Sequence, residues 1–109
     1  MKITSIALNR FLVKFTSDGQ LPKEFALSQN YTNPFNHSTT ITYGLPTQTH
    51  VTLRVYKVLG QEVATLANEV QEAGFKYVKF DGGNLASGVY FYRLEAGTFT
   101  SLKKLLLLK

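Results

Sequence analysis

Residues 50–58 read HVTLRVYKV, and apolar and polar side chains alternate through most of this stretch. Successive side chains of a β-strand point to opposite faces of the sheet. Val51, Leu53 and Val55 would therefore face one way, with polar or amphipathic residues between them. The pattern predicts a central strand that has one face in the core.

A tight turn follows this strand at Leu59, Gly60 and Gln61. Glycine adopts positive φ angles without steric cost, so Gly60 is the expected turn residue of a hairpin. The second strand of that hairpin is predicted over residues 62–66. Residues 67–73 are polar and acidic, which favours a solvated connection.

Short runs of the same kind occur along the rest of the chain. They cover residues 25–31, 38–44, 74–80, 89–94 and 99–108, with turn-forming residues between them. Seven short strands without a convincing helix predict an all-β fold, an antiparallel β-sandwich. One domain is expected at this length.

The start of that domain is predicted at Leu21-Pro22. Proline cannot donate a ladder hydrogen bond and biases the residue before it toward an extended conformation. Residues 21–109 are therefore expected to form the domain, and residues 1–20 an N-terminal tail or the remnant of a preceding region.

The last two strands form a predicted hairpin over residues 88–109. Val89, Phe91 and their neighbours are expected to hold the fold. The Tyr90 hydroxyl is expected to bond to upstream backbone, as in a tyrosine corner. The strand that begins at Phe99 would end in a free Lys109.

In two other segments, the sequence predicts which residues point into the core and which face solvent. In residues 74–80, Val78 and Phe80 are expected in the core, and Lys76 and Lys79 at the surface. In the loop at residues 30–36, Phe35 is expected to plug the end of the core. Asn36 can accept a backbone N–H two residues further on.

The net charge of +5 comes from the two ends of the chain. Between residues 21 and 97, six basic residues are matched by six acidic ones. Lys103, Lys104 and Lys109 have no acidic counterpart in the last twelve residues. A folded basic face that tracks phosphates is therefore not expected, and neither is a nucleic-acid partner.

Residue types that carry catalysis are sparse. The sequence has no cysteine and two histidines, His37 and His50, on either side of a predicted strand. Glu69, Glu72 and Asp81 lack the regular spacing of a calcium loop. No enzyme activity, metal or cofactor is expected. The sequence has no run of about 18 apolar residues, so direct membrane insertion is not expected.

Four stretches together resemble the C-terminal sorting domain of proteins secreted by the type IX (Por) system, type A. They are FALSQNYTNPFNHSTT (25–40), VTLRVYKVLGQEVATL (51–66), LASGVYFYRL (85–94) and KKLLLLK (103–109). The resemblance covers most of residues 21–109, in the order of the family's motifs. Thr32 and His37 stand where the family's loop usually has proline.

The resemblance implies an Ig-like sandwich that acts as a non-catalytic secretion signal. It implies that the domain guides a cargo through the outer membrane to the cell surface or beyond. The implied partners are the translocon, its shuttle proteins and a sortase-like cysteine protease, and the domain is expected to be monomeric. The periplasm is the implied location in transit.

Particular residues follow from the same resemblance. The family loop motif is Asn33, Pro34, Phe35 and Asn36, the turn motif is Gly60, and the sorting signal is assigned to Gly88, Tyr90, Lys103, Lys104 and Lys109.

An alternative function remains at this point. Ig-like modules also occur in flagellar hook-capping and cell-surface proteins as adhesion or scaffold units, and a fold alone does not fix function.

Residues 1–15 resemble a signal peptide only superficially, because Asn9 and Arg10 interrupt the apolar run. The chain is therefore expected to be a fragment or truncated product without its cargo or signal peptide.

Overall fold

Seven β-strands make up the regular structure of residues 21–109, which are the residues that the computed structural model describes. They are β1 (Ala26–Leu27), β2 (Ser38–Leu45), β3 (Thr49–Lys57), β4 (Glu62–Gln71), β5 (Gly74–Asp81), β6 (Gly88–Ala96) and β7 (Phe99–Leu107). Two antiparallel sheets have the strand orders β1-β2-β5 and β4-β3-β6-β7. The predicted all-β sandwich is confirmed. The expected N-terminal tail lies outside the described residues.

The strand predicted from residues 50–58 is central, as expected. β3 pairs with β4 on one side and with β6 on the other. Val51, Leu53 and Val55 are fully buried between the two sheets. On the opposing sheet, Ile41 and Tyr43 of β2 point into the same core.

The core is built from the inward-facing rows of both sheets. Apolar surface removed from water stabilises the fold by about 25 cal/mol per Å². The buried core members are Leu27, Phe35, Ile41, Tyr43, Leu45, Val51, Leu53, Val55, Phe80, Tyr90, Tyr92, Leu94, Ala96, Leu105 and Leu107.

The prediction of a loop over residues 67–73 was wrong for most of that stretch. β4 continues to Gln71, where it pairs with Thr49. β3 has nine residues and β4 has ten, and the backbone groups of β3 need partners along that whole side. Two register shifts, at Leu53/Arg54 and Val55/Tyr56, accommodate the pairing. The polar side chains of β4 thus mark an exposed edge strand rather than a loop.

The predicted positions of Val78, Phe80 and Lys79 on β5 are confirmed, and that of Lys76 is wrong. Phe80 is buried and Val78 packs against the core. Lys76 lies on the same inward face as Val78 and Phe80 and is half-buried. Of the two lysines, only Lys79 is exposed. Phe75 and Tyr77 lie on the outer face instead, with 55% and 72% of their surface exposed.

The first strand is shorter than predicted. β1 has two residues, Ala26 and Leu27. The chain then leaves the sheet, and Tyr31 makes only an isolated antiparallel bridge with Thr40. Residues 28–37 are consequently free to form the loop described below.

Truncation of Leu53 tests the central strand. Leu53→Ala is expected to lower the free energy of unfolding by about 2–5 kcal/mol, because it leaves a cavity between the sheets. Chemical denaturation measures this loss. The matched control is Leu59→Ala, since Leu59 is 97% exposed at the β3–β4 turn and should change stability by less than about 0.5 kcal/mol. Equal effects would contradict the core assignment.

Candidate recognition site

The C-terminal hairpin joins β6 and β7 in an uninterrupted antiparallel register from Gly88–Leu107 to Ala96–Phe99. Its inward residues on β6 are Tyr90, Tyr92 and Leu94. Val89 and Phe91 lie between them on the outer face and are half-exposed. The prediction that Val89 and Phe91 hold the fold was therefore off by one residue in the strand's alternation.

Gly88 and Tyr90 fix the entry into this hairpin. Gly88 has a φ of 154°, in the region that favours glycine, and a Cβ there would meet no atom within 4 Å. Tyr90 is buried, and its hydroxyl donates a hydrogen bond of 2.7 Å to the carbonyl of Ala86. This is the tyrosine corner that the sequence predicts.

The two adjacent lysines of β7 point to opposite faces of the sheet. Lys103 lies on the inner face and is half-buried, in the row of the fully buried Leu105 and Leu107. Lys104 lies on the outer face and is exposed. No carboxylate among residues 21–109 forms an ion pair with either lysine. One strand thus supplies both core leucines and uncompensated cations.

Lys109 is not free at the end of the strand. Its backbone N–H donates to Ser87 Oγ at 3.0 Å, and its Nζ donates to the carbonyl of Gly83 at 2.6 Å. These contacts hold the last residue against the turn between β5 and β6.

The loop that contains Asn33, Pro34, Phe35 and Asn36 covers the edge of β7. The backbone N–H of Phe35 donates to the carbonyl of Leu106, and the carbonyl of Phe35 accepts from the N–H of Leu108, both at 2.9 Å. Asn33 Oδ1 accepts the N–H of Leu106 at 2.9 Å. The loop therefore occupies backbone groups that an edge strand would otherwise expose.

Phe35 is the plug that the sequence predicts. Its side chain is 1% exposed and packs against Phe80, with ring centroids 6.1 Å apart in an edge-to-face arrangement. The peptide bond between Asn33 and Pro34 is cis. Asn36 is exposed and accepts no hydrogen bond from residues 21–109, contrary to expectation.

A buried polar cluster supports this loop, and sequence reasoning missed it. Asn30 Nδ2 donates to the carbonyl of Thr32 and to Thr39 Oγ1, both at 3.0 Å. Thr39 Oγ1 donates to the same carbonyl at 2.8 Å. The sequence feature that could have indicated this cluster is Asn30, an amide side chain near a turn. The Asn30 side chain is buried.

Only part of the β7 edge is covered. The loop bonds and the bond from Gln29 Nε2 to the Lys104 carbonyl fall on even-numbered residues from 104 onward. Backbone groups alternate between the two sides of a strand, so Thr100 and Leu102 also direct theirs outward. β1 lies beside this end of β7, and Phe25 stacks on Phe99 with ring centroids 5.6 Å apart. No residue among 21–109, however, forms a backbone hydrogen bond with Thr100 or Leu102 on that side.

Tyr92 joins the hairpin to the first part of the loop. Its hydroxyl donates to the carbonyl of Ser28 at 2.7 Å. Burial raises the pKa of Tyr92 to about 12 from its ordinary value of 10.0, and a hydrogen bond with the backbone of Asn30 opposes part of that rise. The neutral, hydrogen-bonded phenol is thus the form that the folded state favours.

The remaining residues singled out in the sequence are dispersed. Gly60 has a φ of 97° in the β3–β4 turn. His37 lies beside Asp81 and Gly83 at one end of the sandwich, while His50 lies on β3. Within residues 21–109 no three His, Asp or Glu side chains converge to hold a metal ion.

A family model described as the secretion system C-terminal sorting domain matches residues 29–108. The chain belongs to this family. The matched range includes the loop that covers β7, the β3–β4 turn and nearly all of the C-terminal hairpin. Comparisons with curated proteins and with solved structures give no match.

Membership indicates a broad role. Sorting domains of this family serve type IX secretion, which exports proteins to the outer membrane or the cell surface, and they are non-catalytic. Residues 21–109 include no helix of the length and apolarity that a membrane crossing needs.

Asn33 and Asn36 provide a matched test of the sorting domain's loop. Asn33→Ala is expected to lower the free energy of unfolding by about 0.5–1.5 kcal/mol, because the Leu106 N–H loses its acceptor. Asn36→Ala should have a smaller effect, since this side chain is exposed. Denaturant titration of both variants decides the matter, and a larger loss from Asn36→Ala would contradict the structure.

The raised pKa of Tyr92 predicts a loss of stability at high pH. Between pH 10 and about 12, the tyrosine of the unfolded chain releases its proton before that of the folded domain, so stability falls as pH rises. Denaturation at pH 9 and pH 11 measures this loss. In Tyr92→Phe the fall over this interval should be smaller, whereas Tyr77→Phe, an exposed control, should keep it. An unchanged fall in Tyr92→Phe would contradict the assignment.

Proposed function

We propose that this chain is the C-terminal secretion signal of a cargo protein, with residues 21–109 as the sorting unit. The unit guides its cargo from the periplasm through the outer membrane by the type IX system. A sortase-like cysteine protease then removes the domain and attaches the mature protein to the surface. The family match over residues 29–108 supports this function.

The recognition surface that we assign is the outer face and open edge of β7. The observation that carries it is that, within residues 21–109, the outward backbone groups of Thr100 and Leu102 have no partner and the exposed Lys104 has no ion pair. Leu102 is also 57% exposed in the same row. Such an edge can accept backbone hydrogen bonds and a carboxylate from a translocon or shuttle protein.

The other residues assigned to the sorting signal support this surface. Gly88 and Tyr90 set the direction in which β6 enters the hairpin. Lys103 approaches the core, and Lys109 holds the end of the chain against the β5–β6 turn. Asn33 and Phe35 of the loop motif fix the covered half of the β7 edge, and Gly60 shapes the β3–β4 turn.

In this proposal the sorting domain is a monomer, and its partners bind it in the folded state. The translocon and its shuttle proteins read β7, whereas the sortase-like protease acts at the junction with the cargo. Neither nucleic acid nor direct insertion into the membrane is part of this function. The basic residues nearest the open edge, Lys103 and Lys104, would steer acidic protein surfaces toward it.

Deletion of the last strand would not test recognition alone. Residues 101–109 include Leu105 and Leu107, which are fully buried. Their removal exposes the core, so a loss of export would follow from unfolding. A change confined to the outer face of β7 is needed.

Lys104→Glu is such a change. A fusion of signal peptide, reporter and the complete chain would be expressed in a bacterium that has this export system. Lys104→Glu should reduce the secreted fraction several-fold, because a carboxylate would repel the acidic partner surface. The thermal midpoint of the purified variant should stay within about 2 °C of the parent's, as for other surface substitutions.

Lys23→Glu is the matched control, since Lys23 is an exposed lysine outside the seven strands that, like Lys104, forms no ion pair within residues 21–109, and it should preserve secretion. Equal secretion of all three fusions would contradict recognition through Lys104. A parent fusion that folds but stays in the periplasm would contradict the sorting function itself and favour an adhesion or scaffold module.

A further inference from the structure

The free edge of the three-stranded sheet is formed by β5. All eight residues of β5 pair with β2 without a register shift. In β2, the carbonyl of Thr42 accepts from Ser28, and Thr40 exchanges two backbone hydrogen bonds with Tyr31. The backbone N–H and C=O groups of the even-numbered residues of β2 are thus directed away from β5. Since backbone direction alternates, its odd-numbered residues bond to the even-numbered residues of β5.

Phe75, Tyr77 and Lys79 consequently direct their backbone N–H and C=O groups at the free edge. No strand among residues 21–109 pairs with them there. Their side chains share the outer face of the sheet, where Tyr77 is more exposed than Phe75. Unpaired backbone and exposed side chains therefore belong to the same three residues.

This edge differs from the other long edges of the sandwich. β4 is interrupted by two register shifts, which twist and blunt an edge. The β7 edge is covered from Lys104 onward by the loop at residues 29–36. β5 alone among these three is regular and open along its length within the described part of the chain. A regular open edge is the geometry to which an extended peptide adds as a further strand.

The charges beside this edge indicate the chemistry of its occupant. Neither Lys76 nor Lys79 forms an ion pair with a carboxylate of residues 21–109. Asp81 Oδ1 instead accepts the N–H of Gly83 at 2.8 Å. A second copy of β5 would bring further lysines to the edge, whereas a segment with a carboxylate would neutralise Lys79.

We propose that the β5 edge binds an extended, acidic segment of a partner protein by antiparallel strand addition. Apolar side chains of that segment lie opposite Phe75 and Tyr77, and a carboxylate lies opposite Lys79. Directly opposed residues on neighbouring antiparallel strands have Cβ atoms about 5 Å apart, close enough for these contacts. This surface is separate from β7 and goes beyond the proposed sorting function.

The test uses the full chain labelled with ¹⁵N and a synthetic peptide, acetyl-SETVTVS-amide. In antiparallel register its glutamate lies opposite Lys79 and its two valines opposite Tyr77 and Phe75. Titration should shift the amide signals of these three residues and slow their hydrogen exchange. The amides of Thr100 and Leu102 should remain unchanged.

Two altered peptides separate strand addition from general stickiness. N-methylation of the valine opposite Tyr77 removes one ladder donor and should weaken binding about fivefold or more. Replacement of the glutamate by lysine should also weaken binding to the parent chain. Lys79→Glu should reverse the preference between the glutamate and lysine peptides, whereas Lys23→Glu should leave it unchanged.

Several outcomes would overturn the proposal. Absence of any shift at Phe75, Tyr77 and Lys79 would do so, as would shifts confined to Thr100 and Leu102. Slow exchange of the β5 amides before peptide is added would show that another segment already fills the edge. A dimer in light scattering that Tyr77→Ser dissociates would assign the edge to a second copy. Each of these results leaves the Lys104 export test unaffected.

Discussion

The sandwich depends on satisfying the backbone edge of its last strand. β7 contributes Leu105 and Leu107 to the centre of the core, yet it lies at the margin of its sheet. Buried or partly covered backbone groups must find partners. The loop around Phe35 supplies these partners through backbone hydrogen bonds to Leu106 and Leu108. The phenyl ring of Phe35 then closes the same end of the core. A polar requirement of the main chain and an apolar requirement of the side chains are met by one residue.

In the proposed function, recognition and folding depend on the same strand, β7. Because side chains alternate across a sheet, the residues of β7 that hold the core and those that face solvent are immediate neighbours. Lys103 approaches the core side and Lys104 the outer side. A receptor that bound the outer row would therefore bind a strand that takes up its position only in the folded domain.

Local alternation was sufficient to predict the sandwich and its central strand. Val51, Leu53 and Val55 have an unambiguous period of two, and so their burial followed directly. Alternation failed where both faces of a strand carry apolar residues. In β6, tyrosine and phenylalanine occur at consecutive positions, and only the tertiary fold decides that Tyr90 and Tyr92 point inward while Phe91 does not.

The candidate site was less predictable because its geometry comes from contacts between distant segments. The loop motif and the hairpin were each visible in the sequence, but the bond between Asn33 and Leu106 joins residues 73 positions apart. The acidic part of β4 was mistaken for a loop because its requirement for pairing arises from β3. Asn30 was missed because its partners, Thr32 and Thr39, become a buried cluster only after the loop folds back.

The bridge between Phe35 and Leu107 has a consequence for the order of events during synthesis. A ribosome delivers β1 to β6 before β7, and in that interval neither the hairpin nor the closing loop can form. Contacts of such high sequence separation also slow folding, because chain entropy is lost before they are gained. The domain is therefore built to complete its fold late, after nearly all of it has been translated.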